Sequence, residues 1–331
     1  MTFDKSVIVP LDPDATFDLV TQPDRLRRWM TVAARVELRA GGAYRWTVTP
    51  GHHAAGTIVD VEPGKRVVYT FGWEEDADLP PGASTVTVTL TPVDAGTEVR
   101  LVHEGLTDEQ AVHHAVGWNH FMDRLVAAGR DGDAGPDEWA AAPDPLDELL
   151  CAEATLAVLQ GVLRGLDPSD LARQTPCSEY TVAQLADHLL TGMTRIGTAA
   201  GAQMPERDVD APLETQVADA ADAVLAAWRQ KGLEGTVELA STQLPATAAV
   251  GILSVEFLVH AWDFALATDR RVVVSEPVCT YVQDLAGKIV TPQLRAGRFA
   301  DPVTTAADVD ALDRLIAFTG RQPAVVQTSV S

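Results

Sequence analysis

The chain has 331 residues, enough for two domains of about 150 residues each, and its 47 acidic side chains outnumber its 25 basic ones, which gives a formal net charge of −22. A negative field of this size repels nucleic acids and anionic lipid surfaces, so we expect neither nucleic-acid nor membrane partners. Three cysteines, an odd number, argue against a disulfide framework and predict a cytoplasmic location.

Short β-type segments separated by turn residues occupy the first hundred residues. The alternation of threonine with valine or leucine in Thr85–Leu90 is typical of a half-buried antiparallel strand. We predict strands at Ser6–Val9, Arg35–Leu38, Ala43–Thr49, Gly56–Val61, Val67–Trp73, Thr85–Thr91 and Thr97–Glu104. Two short helices, Asp14–Val20 and Pro23–Trp29, follow the first strand, and one long amphipathic helix, Asp108–Ala128, follows the last. This order predicts a curved antiparallel sheet that grips a helix, with room for a cavity between them.

Five segments of this half resemble a known superfamily. They are PDRLRRW at Pro23–Trp29, LRAGGAYRW at Leu38–Trp46, GTIVDVEPGKRVVYTF at Gly56–Phe71, GTEVRL at Gly96–Leu101 and GWNHFMDRL at Gly117–Leu125. Residues 1–130 are therefore similar to START-like (SRPBCC) domains of the branch named after activators of the heat-shock chaperone ATPase. The resemblance implies the helix-grip fold and leaves the function open, because that fold hosts lipid binders, cyclases and regulators.

Four tryptophans of this half are candidates to line a cavity for a small hydrophobic ligand, since aromatic side chains combine a large apolar area with a polar group. They are Trp29, Trp46, Trp73 and Trp118. The alternative is that they only pack in the core. The histidines of this half are assigned to the surface or to a cavity wall, because adjacent pairs point apart on a strand or a helix and cannot chelate one ion.

The remaining sequence predicts a linker and a second, helical domain. Residues 131–144 are rich in Gly, Asp, Pro and Ala without apolar periodicity, which is typical of a linker. In residues 145–325 apolar side chains recur three and four apart. The predicted helices run from an Asp144 cap to about Gly165, from Thr181 with Gln184 as its capping box, over Val217–Trp228, and over Thr247–Thr268, Pro277–Thr291 and Val309–Thr319. A mainly antiparallel helical bundle follows, and the whole chain is α+β.

The Thr247–Thr268 helix carries three ionisable side chains in apolar surroundings. Glu256, His260 and Asp263 are four and three residues apart, so they share one helix face. Buried charged groups are usually paired or bound to a metal, because an unpaired one is costly. With His188 facing inward from another helix, Glu256 and His260 would form a site of two imidazoles and one carboxylate. That ligand set is typical of a catalytic metal with an open position, and zinc is its usual occupant.

Three segments of the second half resemble another family. They are TPCSEYTVAQLADHLL at Thr175–Leu190, EFLVHAWDFALAT at Glu256–Thr268 and LDRLIAFTGRQP at Leu312–Pro323. Residues 145–325 are similar to the metal-binding domain of mycothiol-dependent maleylpyruvate isomerases, within the DinB-like four-helix family. The resemblance implies that His188, Glu256 and His260 are the ligands of a divalent metal, and that a low-molecular-weight thiol such as mycothiol is a cosubstrate. Those isomerases carry a further sterol-carrier-like module, whereas only about 60 residues follow the metal helix here, so maleylpyruvate is in doubt as the substrate.

Two further side chains are candidates near this site. Asp263 is a candidate to accept a hydrogen bond from a metal-ligating histidine, since such a histidine usually donates its other N–H to an oxygen; its alternative role is a hydrogen bond between helices. Cys177 precedes the Thr181 cap closely enough for the helix N-terminus to favour its thiolate, which makes it a candidate reactive thiol, or it simply packs. Cys151 and Cys279 are expected to be small core residues.

These features predict a cytoplasmic divalent-metal-dependent enzyme that acts on a small organic molecule. A metal-activated thiol or water would serve transfer, isomerisation or hydrolysis, and no catalytic acid or base is identified. The alternative is a non-catalytic ligand-binding or regulatory protein with a structural metal, whose fourth ligand would be Asp263 or Cys177. A third interpretation is that no metal binds and that Glu256 and His260 form a core pair. The sequence is compatible with a homo-oligomer.

Overall fold

The computed structural model describes residues 2–140, 143–295, 299–306 and 308–323. Contacts between residues divide the chain into two units, Met1–Asp137 and Glu138–Ser331. The first unit thus extends into the segment predicted as a linker. Arg124 explains why, because its guanidinium donates to the carbonyl oxygens of Gly135, at 2.8 Å, and Pro136, at 3.3 Å.

The described residues of the first unit form one seven-stranded antiparallel sheet and three helices. Its elements are β1 (Phe3–Val9), α1 (Pro13–Thr21), α2 (Pro23–Leu26), β2 (Ala33–Val36), β3 (Ala43–Thr49), β4 (His52–Glu62), β5 (Arg66–Phe71), β6 (Ser84–Val93), β7 (Gly96–Glu104) and α3 (Asp108–Asp131). The strand order is β1-β7-β6-β5-β4-β3-β2. This arrangement confirms the predicted α+β class and the helix-grip architecture.

Local sequence explains how the closing helix packs on the sheet. In β6 the side chains of Thr85, Thr87 and Thr89 are half-buried, whereas Val86, Val88 and Leu90 are buried, as the alternation predicts. Thr107 and Gln110 form a capping box that starts α3, and Gly132 ends it in the left-handed conformation at φ 83°. The buried face of α3 and the inward strand positions form one apolar core.

A cavity of about 10 Å³ lies within this core. Trp29, Trp46 and Trp118 line it, whereas Trp73 lies elsewhere and donates from Nε1 to Nε2 of His114 at 3.0 Å. Because one water molecule needs about 10–15 Å³, this cavity has no room for an organic ligand. In this conformation the three tryptophans pack as core side chains.

Where the structure describes it, the second unit is a helical bundle with one small hairpin. Its elements are α4 (Glu148–Leu163), α5 (Val182–Ala199), α6 (Leu213–Lys231), β8 (Thr236–Leu239), β9 (Thr242–Pro245), α7 (Ala246–Ala267), α8 (Glu276–Ile289), α9 (Pro292–Arg295) and α10 (Ala311–Phe318), with 3₁₀ turns at Glu138–Ala140 and Pro168–Ala172. Helix α7 packs against α4, α5 and α8, so it is central to the bundle. It is long and apolar enough to cross a membrane, yet most of it is buried within its own unit, as in the core helix of a bundle.

Three local details of this unit test the sequence analysis. The capping box of Thr181 and Gln184 at the start of α5 is confirmed. The cap of α4 is Asp147 and not Asp144, since Asp147 Oδ1 accepts a hydrogen bond from the Leu150 amide at 2.7 Å. The β8–β9 hairpin was not predicted.

Candidate metal centre

Helices α5 and α7 bring His188, Glu256 and His260 together, with their ligand atoms all within 4.8 Å of one another. Oε2 of Glu256 lies 3.1 Å from Nε2 of His260, one helical turn away, and 3.7 Å from Nε2 of His188. The two imidazole rings are nearly perpendicular, with centroids 5.6 Å apart. The three predicted ligands are therefore neighbours in the fold.

The burial of these three side chains is graded. The exposed fraction of the side chain falls from 44% at His188 to 24% at Glu256 and 8% at His260. The expectation that His188 faces inward is therefore wrong, because this residue lies at the edge of the apolar face of α5 and not in its middle. The cluster consequently opens towards solvent on the His188 side.

Tyr180, which sequence reasoning missed, supports the exposed histidine. Its ring stacks on the ring of His188, with centroids 5.2 Å apart and an interplanar angle of 28°. The loop that carries it is closed by Thr175, whose amide donates to the Tyr180 carbonyl at 3.1 Å, and by the Tyr180 amide, which donates to the Cys177 carbonyl at 2.8 Å. This loop precedes the Thr181 cap, so the start of α5 and the stacking ring are fixed together.

Asp263 contacts the other nitrogen of the His260 ring. Oδ2 of Asp263 lies 2.9 Å from Nδ1 of His260, and the carboxylate is fully buried. A carboxylate only accepts hydrogen bonds, so the network assigns the Nδ1 proton to His260 as the donor. When the ring loses a proton, this contact keeps the remaining proton on Nδ1 and leaves the lone pair on Nε2, which is the tautomer that a metal ligand requires.

Arg321 was also missed, and it completes this side of the site. Its Nε donates to Asp263 Oδ1 at 2.7 Å and its Nη2 to Asp263 Oδ2 at 2.8 Å, a bidentate pair. The residue lies in the segment at Leu312–Pro323 that carries the second family resemblance. No local pattern links it to Asp263, which is 58 residues away.

Cys177 lies next to the same arginine. Its Sγ is 3.0 Å from Nη2 of Arg321 and 3.7 Å from Oδ2 of Asp263. Burial, followed by the charge of Asp263, raises the pKa of Cys177 to about 11, although Arg321 opposes the shift. This direction is opposite to the one that proximity to a helix N-terminus predicts. Cys151 and Cys279 are buried, as expected for core residues.

Among the residues that the structure describes, two other groups of side chains have ligand-like spacing. Cys177, His260 and Asp263 form one, on the Nδ1 side of His260, but the Arg321 guanidinium already occupies it. The second, in the first unit, is His53, Glu74 and Glu75. Its carboxylates are engaged too, since Glu74 is bidentate with Arg45 and Glu75 bonds to the His53 ring and amide. The cluster around Glu256 is therefore the better cation site.

The electrostatics of the cluster also suit a cation. Burial lowers the pKa of His260, but hydrogen bonds to Asp263 and Glu256 outweigh burial and raise that pKa to about 9. Burial raises the pKa of Glu256. The hydrogen bond from His260, together with the neighbouring positive charges, outweighs burial, so this pKa lies below its usual value. Burial lowers the pKa of His188. At pH 7 His260 is thus an imidazolium between two carboxylates, and a divalent cation would replace its Nε2 proton.

The donor set fits a divalent metal of the zinc type. Two imidazole nitrogens and one carboxylate oxygen are ligands that zinc prefers. Asp263 and Cys177, the predicted candidates for a fourth ligand, lie on the opposite ring nitrogen of His260 and contact Arg321. Neither of them closes the site.

Two family models match the chain. Residues 10–129 match the model described as activator of Hsp90 ATPase homolog 1-like protein. Residues 152–265 match the model described as mycothiol maleylpyruvate isomerase N-terminal domain. The second match contains His188, Glu256, His260 and Asp263.

Curated relatives and solved structures resemble different parts of the chain. Uncharacterized proteins from two strains of Mycobacterium tuberculosis are each 27% identical over 179 residues, which are 53% of this chain and 98% of theirs. The solution structure of an AHSA1-like protein of Rhizobium etli is 33% identical, covering 44% of this chain and 88% of that one, with a TM-score of 0.34. A protein of Chromobacterium violaceum is 26% identical, covering 38% and 94%, with a TM-score of 0.34.

Proposed function

We propose that this chain, which joins an activator-of-Hsp90-ATPase-like domain to a mycothiol maleylpyruvate isomerase-like domain, is a divalent-metal-dependent enzyme acting on a small organic molecule. Its metal ligands are His188, Glu256 and His260. The observation that supports this most strongly is that their donor atoms converge within 4.8 Å while Asp263 holds the other nitrogen of His260.

The chemistry follows from the ligand count. His188, Glu256 and His260 would hold the ion with three protein ligands, and a bound zinc ion would lower the pKa of a coordinated water or thiol or would polarise a substrate carbonyl. Mycothiol or a similar low-molecular-weight thiol is the proposed cosubstrate, because residues 152–265 resemble the isomerase domain. The exposed side of His188 is the proposed approach for thiol and substrate, since His260 lies deeper. The reaction is a transfer, an isomerisation or a hydrolysis, and the proposed location is cytoplasmic.

The contacts around Asp263 favour an enzyme over a protein with a structural metal. A structural site needs a fourth side chain. Both oxygens of Asp263 are held by Arg321 and one also by His260, and the thiol of Cys177 contacts the same guanidinium. The small cavity in the first unit likewise gives no support to a ligand-sensing role for that unit in this conformation.

Metal uptake by His188→Ala tests the proposal. Wild-type protein loaded with zinc and dialysed should retain about one ion per chain by elemental mass spectrometry. Loss of a direct ligand should weaken zinc binding by more than the roughly 10–100-fold that is typical when a hydrogen-bond partner of a ligand is removed. His113→Ala, which removes an exposed histidine of the first unit, is the control and should bind zinc as the wild type does. Full zinc retention by His188→Ala would contradict the ligand assignment.

A further inference from the structure

The contacts of Arg321 point to a role beyond pairing with a buried charge. We propose that Arg321 is a positioning residue of the metal centre, which fixes the Asp263 carboxylate so that His260 presents Nε2 to the cation. This inference rests on the proposed function, since it assumes that His260 is a ligand. Arg321 itself lies on the far side of the ring and touches neither His188 nor Glu256 through any hydrogen bond that the structure describes.

The geometry of the pair fixes the carboxylate completely. Nε and Nη2 of Arg321 donate to different oxygens of Asp263, at 2.7 and 2.8 Å, so the carboxylate cannot rotate without breaking both bonds. Oδ2 is left directed at Nδ1 of His260. The third nitrogen, Nη1, donates to Oγ1 of Thr319 at 3.2 Å, and Thr319 is itself anchored to the Ile316 carbonyl. The guanidinium is therefore also held by Thr319 at the C-terminal end of α10.

Without this fork the carboxylate is free to rotate. The other hydrogen bonds that the structure describes at its side chain involve only His260, at 2.9 Å, and the thiol of Cys177, at 3.7 Å. Rotation moves Oδ2 away from Nδ1, and the His260 ring loses the acceptor that sets its orientation. Nε2 is then no longer held in the direction of the cation, so metal binding weakens.

A purely electrostatic role predicts the opposite sign. The positive charge of Arg321 repels a divalent cation bound to His260, so neutralising the arginine would tighten binding if charge alone mattered. Replacement by lysine separates the two roles further, because lysine retains the charge but lacks the planar fork.

Zinc affinity of two variants, measured by competition with a chromophoric chelator, tests the inference. We expect Arg321→Gln and Arg321→Lys both to bind zinc about 10–100-fold more weakly than the wild type. Arg314→Gln is the control, since this arginine of the same region donates to the Val309 carbonyl and not to Asp263. Circular dichroism establishes that each variant is folded.

A second readout does not depend on metal. In the metal-free protein, the Nδ1–H of His260 should give a slowly exchanging imidazole resonance in nitrogen-15 spectra, and both Arg321 variants should lose it. Tighter zinc binding by Arg321→Gln with no change in Arg321→Lys would overturn the inference, as would an unchanged resonance in both variants. If the wild type takes up no zinc but the resonance still depends on Arg321, the proposed function fails and the positioning of His260 by Arg321 stands.

Discussion

We expect the first unit to lose stability as the pH falls below about 6.5, because His103 is buried in its neutral form. Nδ1 of His103 accepts a hydrogen bond from Nε1 of Trp118 at 3.0 Å. Its Nε2 lies 2.8 Å from Oγ of Ser84, and that hydroxyl donates to the Phe71 carbonyl, so Nε2 is the donor in the pair. Protonation would place a second N–H at Nδ1, directly against the indole N–H. Burial, and then the charge of His114, lowers the pKa of His103 to about 3.

The size of the effect follows from this shift of the pKa. Above pH 6.5 the histidine is neutral in both the folded and the unfolded chain, so its full contribution to stability is present. Between pH 6.5 and 3 the unfolded chain binds a proton that the folded one does not, and the free energy of unfolding falls by about 1.4 kcal/mol per pH unit. At pH 5 the loss is roughly 2 kcal/mol.

Hydrogen exchange of the full chain, read by mass spectrometry on peptides from β6 and β7, measures this opening free energy after correction for intrinsic exchange rates. His103→Gln removes the titrating group while keeping one acceptor and one donor. The free energy of unfolding of this variant should therefore depend less on pH between 7 and 5, because unfolding takes up about one proton fewer than in the wild type. His113→Gln, at an exposed position of α3, is the matched control and should behave as the wild type does. Parallel pH profiles for the wild type and His103→Gln would refute the reasoning.

Two further predictions concern packing and thiol reactivity. An added methyl group at Gly129 of α3 would clash with Cγ1 of Val9, whereas one at Gly117 of the same helix meets nothing within 4 Å. Urea unfolding should therefore show Gly129→Ala destabilised by roughly 1–3 kcal/mol and Gly117→Ala stabilised by up to about 1 kcal/mol; equal effects would contradict this packing. In native protein treated with iodoacetamide, peptide mapping should find slow labelling at Cys177 only, because Cys151 and Cys279 are buried and burial raises the pKa of both thiols to about 12. Rapid labelling of Cys151 would show that this core opens.

Features set by neighbouring residues were predictable from the sequence. β3 has the predicted bounds, Ala43–Thr49, and the Thr181 capping box begins α5 as expected. The strand depends on the alternation of its own side chains, and the capping box depends on a threonine three residues before a glutamine, so both are local properties. The spacing of Glu256 and His260 placed them on one face of α7 for the same reason.

Features set by distant or atypical partners were not predictable. The tip of the β8–β9 hairpin has positive φ at Ala240 and Ser241, 49° and 64°, where a two-residue turn usually carries asparagine or glycine. Helical periodicity placed His188 near the apolar face of α5, but it could not give the exposure of the side chain, because that depends on where α5 meets α7. The contact between Arg321 and Asp263 joins segments that only the folded bundle brings together.

The pairing of Arg321 with Asp263 can form only late in synthesis of the chain. Every proposed metal ligand, and Asp263 itself, leaves the ribosome before Arg321, which follows Asp263 by 58 residues. At about 5–20 residues per second, the carboxylate waits roughly 3–12 s for its partner. If these three side chains bind a metal as we propose, a nascent chain would expose His188, Glu256 and His260 to the cellular metal pool before Arg321 has been made, and we expect selective loading only once the chain is complete.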